Sequence, residues 1–413
     1  MQRANAPDPP PLEGKAPASP TGSRVVDQFS LLEGGFIHRF QLAIHMAMPD
    51  RSGVAKRAFL SILVTWLPLL LLSFVQGRAL NSEIQIPFLH DFSVSVRFLI
   101  ALPSLVIAEA VIDPRLNQAV RHFVISGLVV PQQLSRFESV IVKVNSLRDS
   151  FLPAVLILIA AFVPSIWYRE AEFVRGGVST WHTVASATGE RLSLAGLWFE
   201  FVSLPLYRVL LFRWVWTISL WAIFLWKVSK LDLGCVATHP DTCGGLGFLV
   251  EAHVLFSMLG FACSAVLAGA FGNAIAYYGA SVYSLKFLII AFCVLAVVLP
   301  AAPLLVLTPK LAKTKRRDVY DYGALGTIYA RAFDAKWVEG YRLQQEALLG
   351  TADIQSLADL DNCFAVVREM KVVLVGKRVL IGLAIPAMLP MIALIMVATP
   401  AEQIIRAVLK LLV

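Results

Sequence analysis

Residues 58–76 read AFLSILVTWLPLLLLSFVQ, an uninterrupted apolar run behind Lys56 and Arg57. Nothing constrains this chain more than the recurrence of such runs. A hydrocarbon core about 30 Å thick is crossed by about 20 helical residues, and only helices or closed barrels satisfy their backbone bonds in lipid. Further runs lie at about 92–112, 151–168, 206–228, 247–271, 287–308 and 379–399. Each is about twice the length of a membrane strand. The expected fold class is therefore all-α: a polytopic helical membrane bundle of about seven transmembrane helices with cytoplasmic amphipathic helices. The composition agrees. Of 413 residues 57% are hydrophobic and 15% charged, against about 45–50% and about 25% in soluble domains.

Charge sets the orientation. With the N-terminus inside, segments 1–57, 113–150, 227–246 and 309–378 hold 26 of the 36 Lys and Arg, and the opposite segments hold 6. That asymmetry predicts a cytoplasmic N-terminus and an external C-terminus. Residues 192–228 are too long for one straight span and too short for two, and Pro205 interrupts them. A proline ring clashes with the preceding turn, so 192–204 reads as a short interfacial or re-entrant piece feeding the fourth span. The net charge of +8 is read against the bilayer. The run KTKRR at Lys313–Arg317 follows a span directly, where it serves as a positive-inside anchor for anionic headgroups rather than for nucleic acid. Five cysteines without a CxxC spacing predict a reducing compartment and no disulfide framework.

The domain plan follows. Residues 1–30 form a disordered Pro-rich tail and 31–57 a juxtamembrane segment. Residues 58–308 hold spans one to six, with a cytoplasmic helical loop at 113–150. There Leu134, Phe137, Ile141, Val144 and Leu147 recur at helical spacing. Residues 309–378 form a cytoplasmic helical insert, in which Leu325, Tyr329, Phe333, Trp337 and Tyr341 form a stripe that packs on a partner helix at 352–371 or faces another protein. Residues 379–413 carry the last span and an interfacial C-terminal helix.

The strings LDLGCVATHPDTCGGLGFL, FLHDFSVSVRFLIALP, VSLPLYRVLLFRWVW and LLGTADIQSLADLDNCFAVVREM resemble those of an uncharacterised family of bacterial polytopic inner-membrane proteins with HPDxxGGLGFL and ADIQSLADL motifs. The resemblance spans most of the chain beyond the tail; Cys235 and Cys243 are not part of the pattern. It implies a multi-pass protein of the bacterial inner membrane, and it implies no activity.

Two polar groups stand out. The inner cluster comprises His239, Asp241, Glu251 and His253 around the glycine-rich entrance to span five, with Glu109 and Asp113 at the same depth on span two. These side chains suit a divalent cation or a proton relay, with His239, Asp241, Glu251 and His253 as metal candidates. A plainer reading has Asp241 or Thr242 capping a helix start. A third has Gly244, Gly245 and Gly247 cradling a phosphate, although no GK[ST] follows. The outer cluster comprises Arg97, Glu200, Arg208 and Arg213. A charge at depth costs several kcal/mol unless it snorkels or is paired, so Glu200 is the expected counter-ion of Arg208 or Arg213, and the group is either structural or a vestibule for anions. No signal identifies a cofactor, and no GxSxG or HExxH string is present. The buried charges and the prolines inside spans point first to a small-solute or ion transporter or channel; the alternatives are a non-transporting scaffold or sensor whose insert binds partners, and an inner-leaflet enzyme acting on lipid. A homo-oligomer is compatible with all three.

Overall fold

A computed structural model describes residues 24–35, 53–80, 83–172, 179–186, 189–339 and 352–399. The short α1 (Arg24–Asp27) is followed by α2 (Val54–Val75) and α3 (Phe92–Ile125). Next come α4 (Leu134–Arg148) and α5 (Phe151–Glu172). The hairpin β1 (Thr183–Ser186) and β2 (Gly189–Leu192) leads into α6 (Leu194–Ser229) and α7 (Phe248–Tyr278). The chain ends with α8 (Val282–Ala301), α9 (Thr308–Phe333), α10 (Ala352–Glu369) and α11 (Lys377–Ala398). Seven helical runs are long and apolar enough to cross a membrane, and each overlaps one of the seven stretches expected from the sequence. The protein is an all-α integral membrane bundle. The C-terminal helix expected beyond 399, Tyr341 and the tail before residue 24 lie outside the described residues.

The spans divide into interior and peripheral helices. α3, α6 and α7 carry the core, with Phe98, Leu102, Leu105, Trp214, Trp221, Ala262 and Ala265 all buried. α8 is apolar all round, and Phe287, Leu288, Ile290, Val294, Leu295 and Val298 are exposed along it, as suits a helix whose solvent is lipid. Small residues let α7 approach its neighbours. A Cβ on Gly269 would stand 2.9 Å from the carbonyl oxygen of Phe92, and one on Gly260 3.4 Å from Ala387.

Helix-breaking residues are absorbed rather than obeyed. Pro68 removes the amide that would bond to Val64, and Trp198 Nε1 donates to that carbonyl oxygen instead, at 3.2 Å. Ser203 Oγ donates to the next carbonyl, Thr65, at 2.8 Å. Pro103 and Pro205 each follow a five-residue π turn, Arg97–Ala101 and Phe199–Ser203. The wider turn removes the ring clash with the carbonyl four residues back. Residues 194–229 therefore form one unbroken helical run of 36 residues. This corrects the reading of 192–204 as a separate re-entrant or interfacial piece.

The end of the bundle that bears most of the basic residues has its own aromatic core. α4 seats Phe137, Ile141 and Val144 there, all buried at the expected spacing. Phe123, Phe137 and Phe224 meet with ring centroids about 6 Å apart, and Phe29 reaches Phe224 at 5.4 Å. Beyond it, α9 and α10 form a helical hairpin. Asp353 accepts from Lys336 Nζ at 2.8 Å and Trp337 Nε1 at 2.9 Å, and Tyr329 donates to the Asp353 carbonyl.

Candidate functional site: two buried charge centres

The first centre lies at the basic end. Glu109 on α3 accepts from Arg213 on α6 at 2.8 Å, and Arg57 on α2 lies 3.9 Å from its second oxygen. Arg213 also donates to the carbonyl of Leu32 at 2.7 Å. One turn along α3, buried Asp113 accepts from Ser30 Oγ at 2.7 Å and from the amides of Leu31 and Leu32 at 3.0 and 3.2 Å. Asn117 donates to the Phe29 carbonyl, Arg121 to that of Asp27 and Arg148 to that of Ser30. Residues 24–35 are thus a strap bound into the bundle by side chains from three helices. Val26, Phe29, Leu31 and Leu32 are buried beneath it. Seven residues expected in a disordered tail, 24–30, belong to this strap. The signal was present in the sequence: five of the eight residues 25–32 are apolar, and Gly34 and Gly35 follow them. Both glycines have positive φ, and a Cβ on Gly34 would lie 2.6 Å from the Arg148 guanidinium. A small cleft runs beside the strap between Arg148, Ala154, Arg213 and Trp216.

The second centre lies at the opposite end. Arg97 and Glu200 each sit in one of the two π turns, which Phe98 and Phe199 bring together edge to face at 6.1 Å. Arg97 donates one long bond, 3.3 Å, to Ser93 Oγ, and its guanidinium lies 5.8 Å from the centre of the Tyr207 ring. Arg208 donates to the Ala161 carbonyl and to Ser165 Oγ on α5. Nearby, Asp91 caps α3 through the amide of Val94 and accepts from Trp181 Nε1 at 3.0 Å and Asn273 Nδ2 at 2.8 Å, with His182 Nε2 at 3.7 Å. Burial works to raise the Asp91 pKa. His182, Trp181 and Asn273 outweigh it and hold the carboxyl down at about 2. Sequence reasoning passed over Asp91, although an aspartate directly before an apolar helical run is a capping signature.

The grouping expected from depth is therefore redrawn. Arg213, assigned to the outer cluster, pairs with Glu109, assigned to the inner one. Both lie near the midpoints of runs of 36 and 34 residues, so counting from a span's end misjudged their level. Glu200, the expected counter-ion, exerts an electrostatic pull on Arg97 and Arg208, while the hydrogen bonds of Arg208 go to α5.

The inner cluster does not converge. Asp241 accepts from the amides of Cys243 and Gly247, both at 2.7 Å, and of Gly245 at 3.1 Å. His239 Nδ1 lies 2.9 Å from it. Burial would raise its pKa, and these amides with His239 bring it below the usual carboxylate range. The glycine turn does bind an anion, as a helix start should, but the anion is the chain's own Asp241. A Cβ on Gly247 would meet Asp241 Oδ2 at 2.9 Å, and Gly244 and Gly245 have positive φ, so the glycines are needed for the wrap. Glu251 and His253, two residues apart and so about 200° apart round a helix, point in opposite directions. Glu251 pairs with Arg378 at the surface. His253 is fully buried, accepting from Trp221 Nε1 at 3.2 Å with Nδ1 2.8 Å from the Leu249 carbonyl oxygen. Among the described residues, no group of three or more His, Cys, Asp or Glu is placed to hold a metal ion. The expected cluster of His239, Asp241, Glu251, His253, Glu109 and Asp113 is thus dispersed over four separate environments.

Comparison of the chain with protein-family models, with curated proteins and with solved structures gives no match.

Proposed function

We propose that this integral membrane protein is a scaffold or sensor of the bacterial inner membrane. Its bundle anchors the α9–α10 hairpin on the cytoplasmic side, where partners read it. The observation that carries this reading is the layer between the two charge centres. Arg97 and Glu109 are twelve residues apart on one helix, roughly 18 Å. The interval is filled by Leu102, Leu105, Leu210 and Trp214, all buried, with Trp214 Nε1 bonded to the Leu105 carbonyl. A solute path joining the centres would have to displace this layer. The hairpin, by contrast, leaves Tyr320, Ile328 and Val338 74%, 67% and 68% exposed. The basic bias of its flanks supports a cytoplasmic position. Lys315 and Arg317 are engaged by the Met370 carbonyl and Asp318, while Lys313 and Arg316 face outward toward anionic headgroups.

The test is photo-crosslinking from Ile328 in intact membranes, with lipid-facing Phe287 as the control position. A discrete protein adduct, a second copy of this chain included, is expected at Ile328 and its loss is expected in Val338→Glu. Ion flux in proteoliposomes that disappears in Glu109→Gln would overturn the reading in favour of transport. One observation favours that second reading: the two central helices carry paired π turns, each followed by a proline, where they can bend.

A further inference from the structure

We infer that the Arg97 centre binds a small, singly charged anion, a halide or a short carboxylate. A guanidinium removed from water is costly unless a counter-charge and acceptors accompany it. Other partly buried arginines meet this demand within the fold, and Arg57, whose Nε is likewise buried without an acceptor, still has the Glu109 carboxylate at 3.9 Å. Arg213 has Glu109 and the Leu32 carbonyl, Arg148 has Asp149 and the Ser30 carbonyl, and Arg208 has the Ala161 carbonyl and Ser165. Arg97 does not. Its Nε is buried without an acceptor, its one hydrogen bond is long, and no carboxylate lies within 4 Å of it among the described residues. Asp91, the nearest structured carboxylate on its own helix, is committed to Val94, Trp181 and Asn273.

The groups around Arg97 leave its guanidinium short of acceptors. Ser93 Oγ accepts from Arg97, which leaves its own proton available to a ligand. Tyr207 is buried beside the guanidinium, and its hydroxyl makes no hydrogen bond among the described residues. Ser93 and Tyr207 both flank the guanidinium, one through its hydroxyl and one through its ring, while Arg97 Nε lacks the acceptor that an anion would supply. The π turn at Arg97–Ala101 is the sort of helical defect found at functional sites. The charge of the ligand follows from the surroundings. Glu200 and Asp91 act on Arg97 from further off, and Arg208 lies within its field, so the net positive charge left for a ligand to neutralise is small and suits a singly charged ion.

This inference goes beyond the scaffold reading and does not depend on it, because its test reads binding and not flux or partner capture. Full-length protein in nanodiscs is heated in sodium gluconate with increasing chloride or formate at constant ionic strength. The unfolding midpoint is expected to rise by several degrees and saturate, and Arg97→Gln is expected to abolish the rise. A response to chloride alone assigns a halide, and one to formate alone a carboxylate. Chlorine NMR line broadening by the protein, reversed by formate, measures the same site directly. Should Arg97→Gln fail to fold, Tyr207→Phe is expected to raise the half-saturating concentration several-fold. Equal responses in the wild type and the variants, or no response and no line broadening, overturn the inference.

Discussion

Arg213 and Arg97 occupy the same two-helix core and meet opposite fates. Arg213 is closed in by Glu109 at 2.8 Å and the Leu32 carbonyl, and a strap of the chain's own N-terminal residues covers the site. Arg97 has one long bond to a serine and lies over the Tyr207 ring at 5.8 Å. A buried charge in a membrane bundle can be satisfied by the protein or left to be satisfied by something else. The first arrangement fixes a structure; the second makes a site. Asp113 shows how far the first can go, since its carboxylate holds the strap by three bonds.

The largest expected effect tests that contrast. Arg213→Met strands Glu109 with only the more distant Arg57 and removes a tie to the strap. Breaking one partner of a buried pair costs about 3–5 kcal/mol, and unfolding in detergent should register it. Arg97→Met removes a guanidinium that lacks a carboxylate, and an apolar replacement there should cost less than about 1 kcal/mol in halide-free buffer. Equal losses in the two variants would break the comparison, because they would mean that Arg97 is also a structural charge.

Asp91 sharpens the contrast from the other side. It stands at the same end as Arg97, yet its donors come from other groups. Its pKa is depressed from 3.8 to about 2. A depressed carboxylate adds stability that is complete above the unfolded value and is lost as pH falls through the folded one. Between about pH 4 and pH 2 the protein should therefore lose about 2 kcal/mol through this group. Asp91→Asn should show a smaller loss over that window. A wild-type acid profile that Asp91→Asn leaves unchanged would show that the carboxylate is not satisfied by Trp181, His182 and Asn273, and would return it as a candidate partner for Arg97.

Much of this architecture was legible because lipid imposes a simple length rule. All seven spans follow from it, and the spacing of Phe137, Ile141 and Val144 placed α4 on a buried face. The departures have local causes. Pro205 read as a break, because a proline's cost is visible in sequence while the π turn that relieves it is not. Glu109 and Arg213 were placed at different depths, because α3 and α6 exceed the roughly 20 residues a bilayer needs and their ends do not mark its surface. The strap was hidden in a proline-rich neighbourhood whose composition outweighed five apolar residues. In the HPDTCGGLGFL stretch, Asp241 binds the amides of the turn before the helix rather than capping the helix itself, and the metal and phosphate roles were not supported, since its carboxylate fills the amide nest its own glycines form.

Glu251 supplies the smallest effect and the clearest limit on the comparison. Like Glu109, it touches an arginine at 2.8 Å, but the side chains of Glu251 and Arg378 remain 59% and 75% exposed. Water and salt screen such a pair, and it contributes about 0–1 kcal/mol. Glu251→Ala should therefore move the unfolding midpoint little at low salt and not at all at high salt, although distance alone would rank it with Glu109. A loss in Glu251→Ala as large as that in Arg213→Met would mean that proximity, not burial, governs the charge energetics of this protein. The distinction between Arg213 and Arg97 would then lose its physical basis, because it rests on the cost of taking a charge out of water.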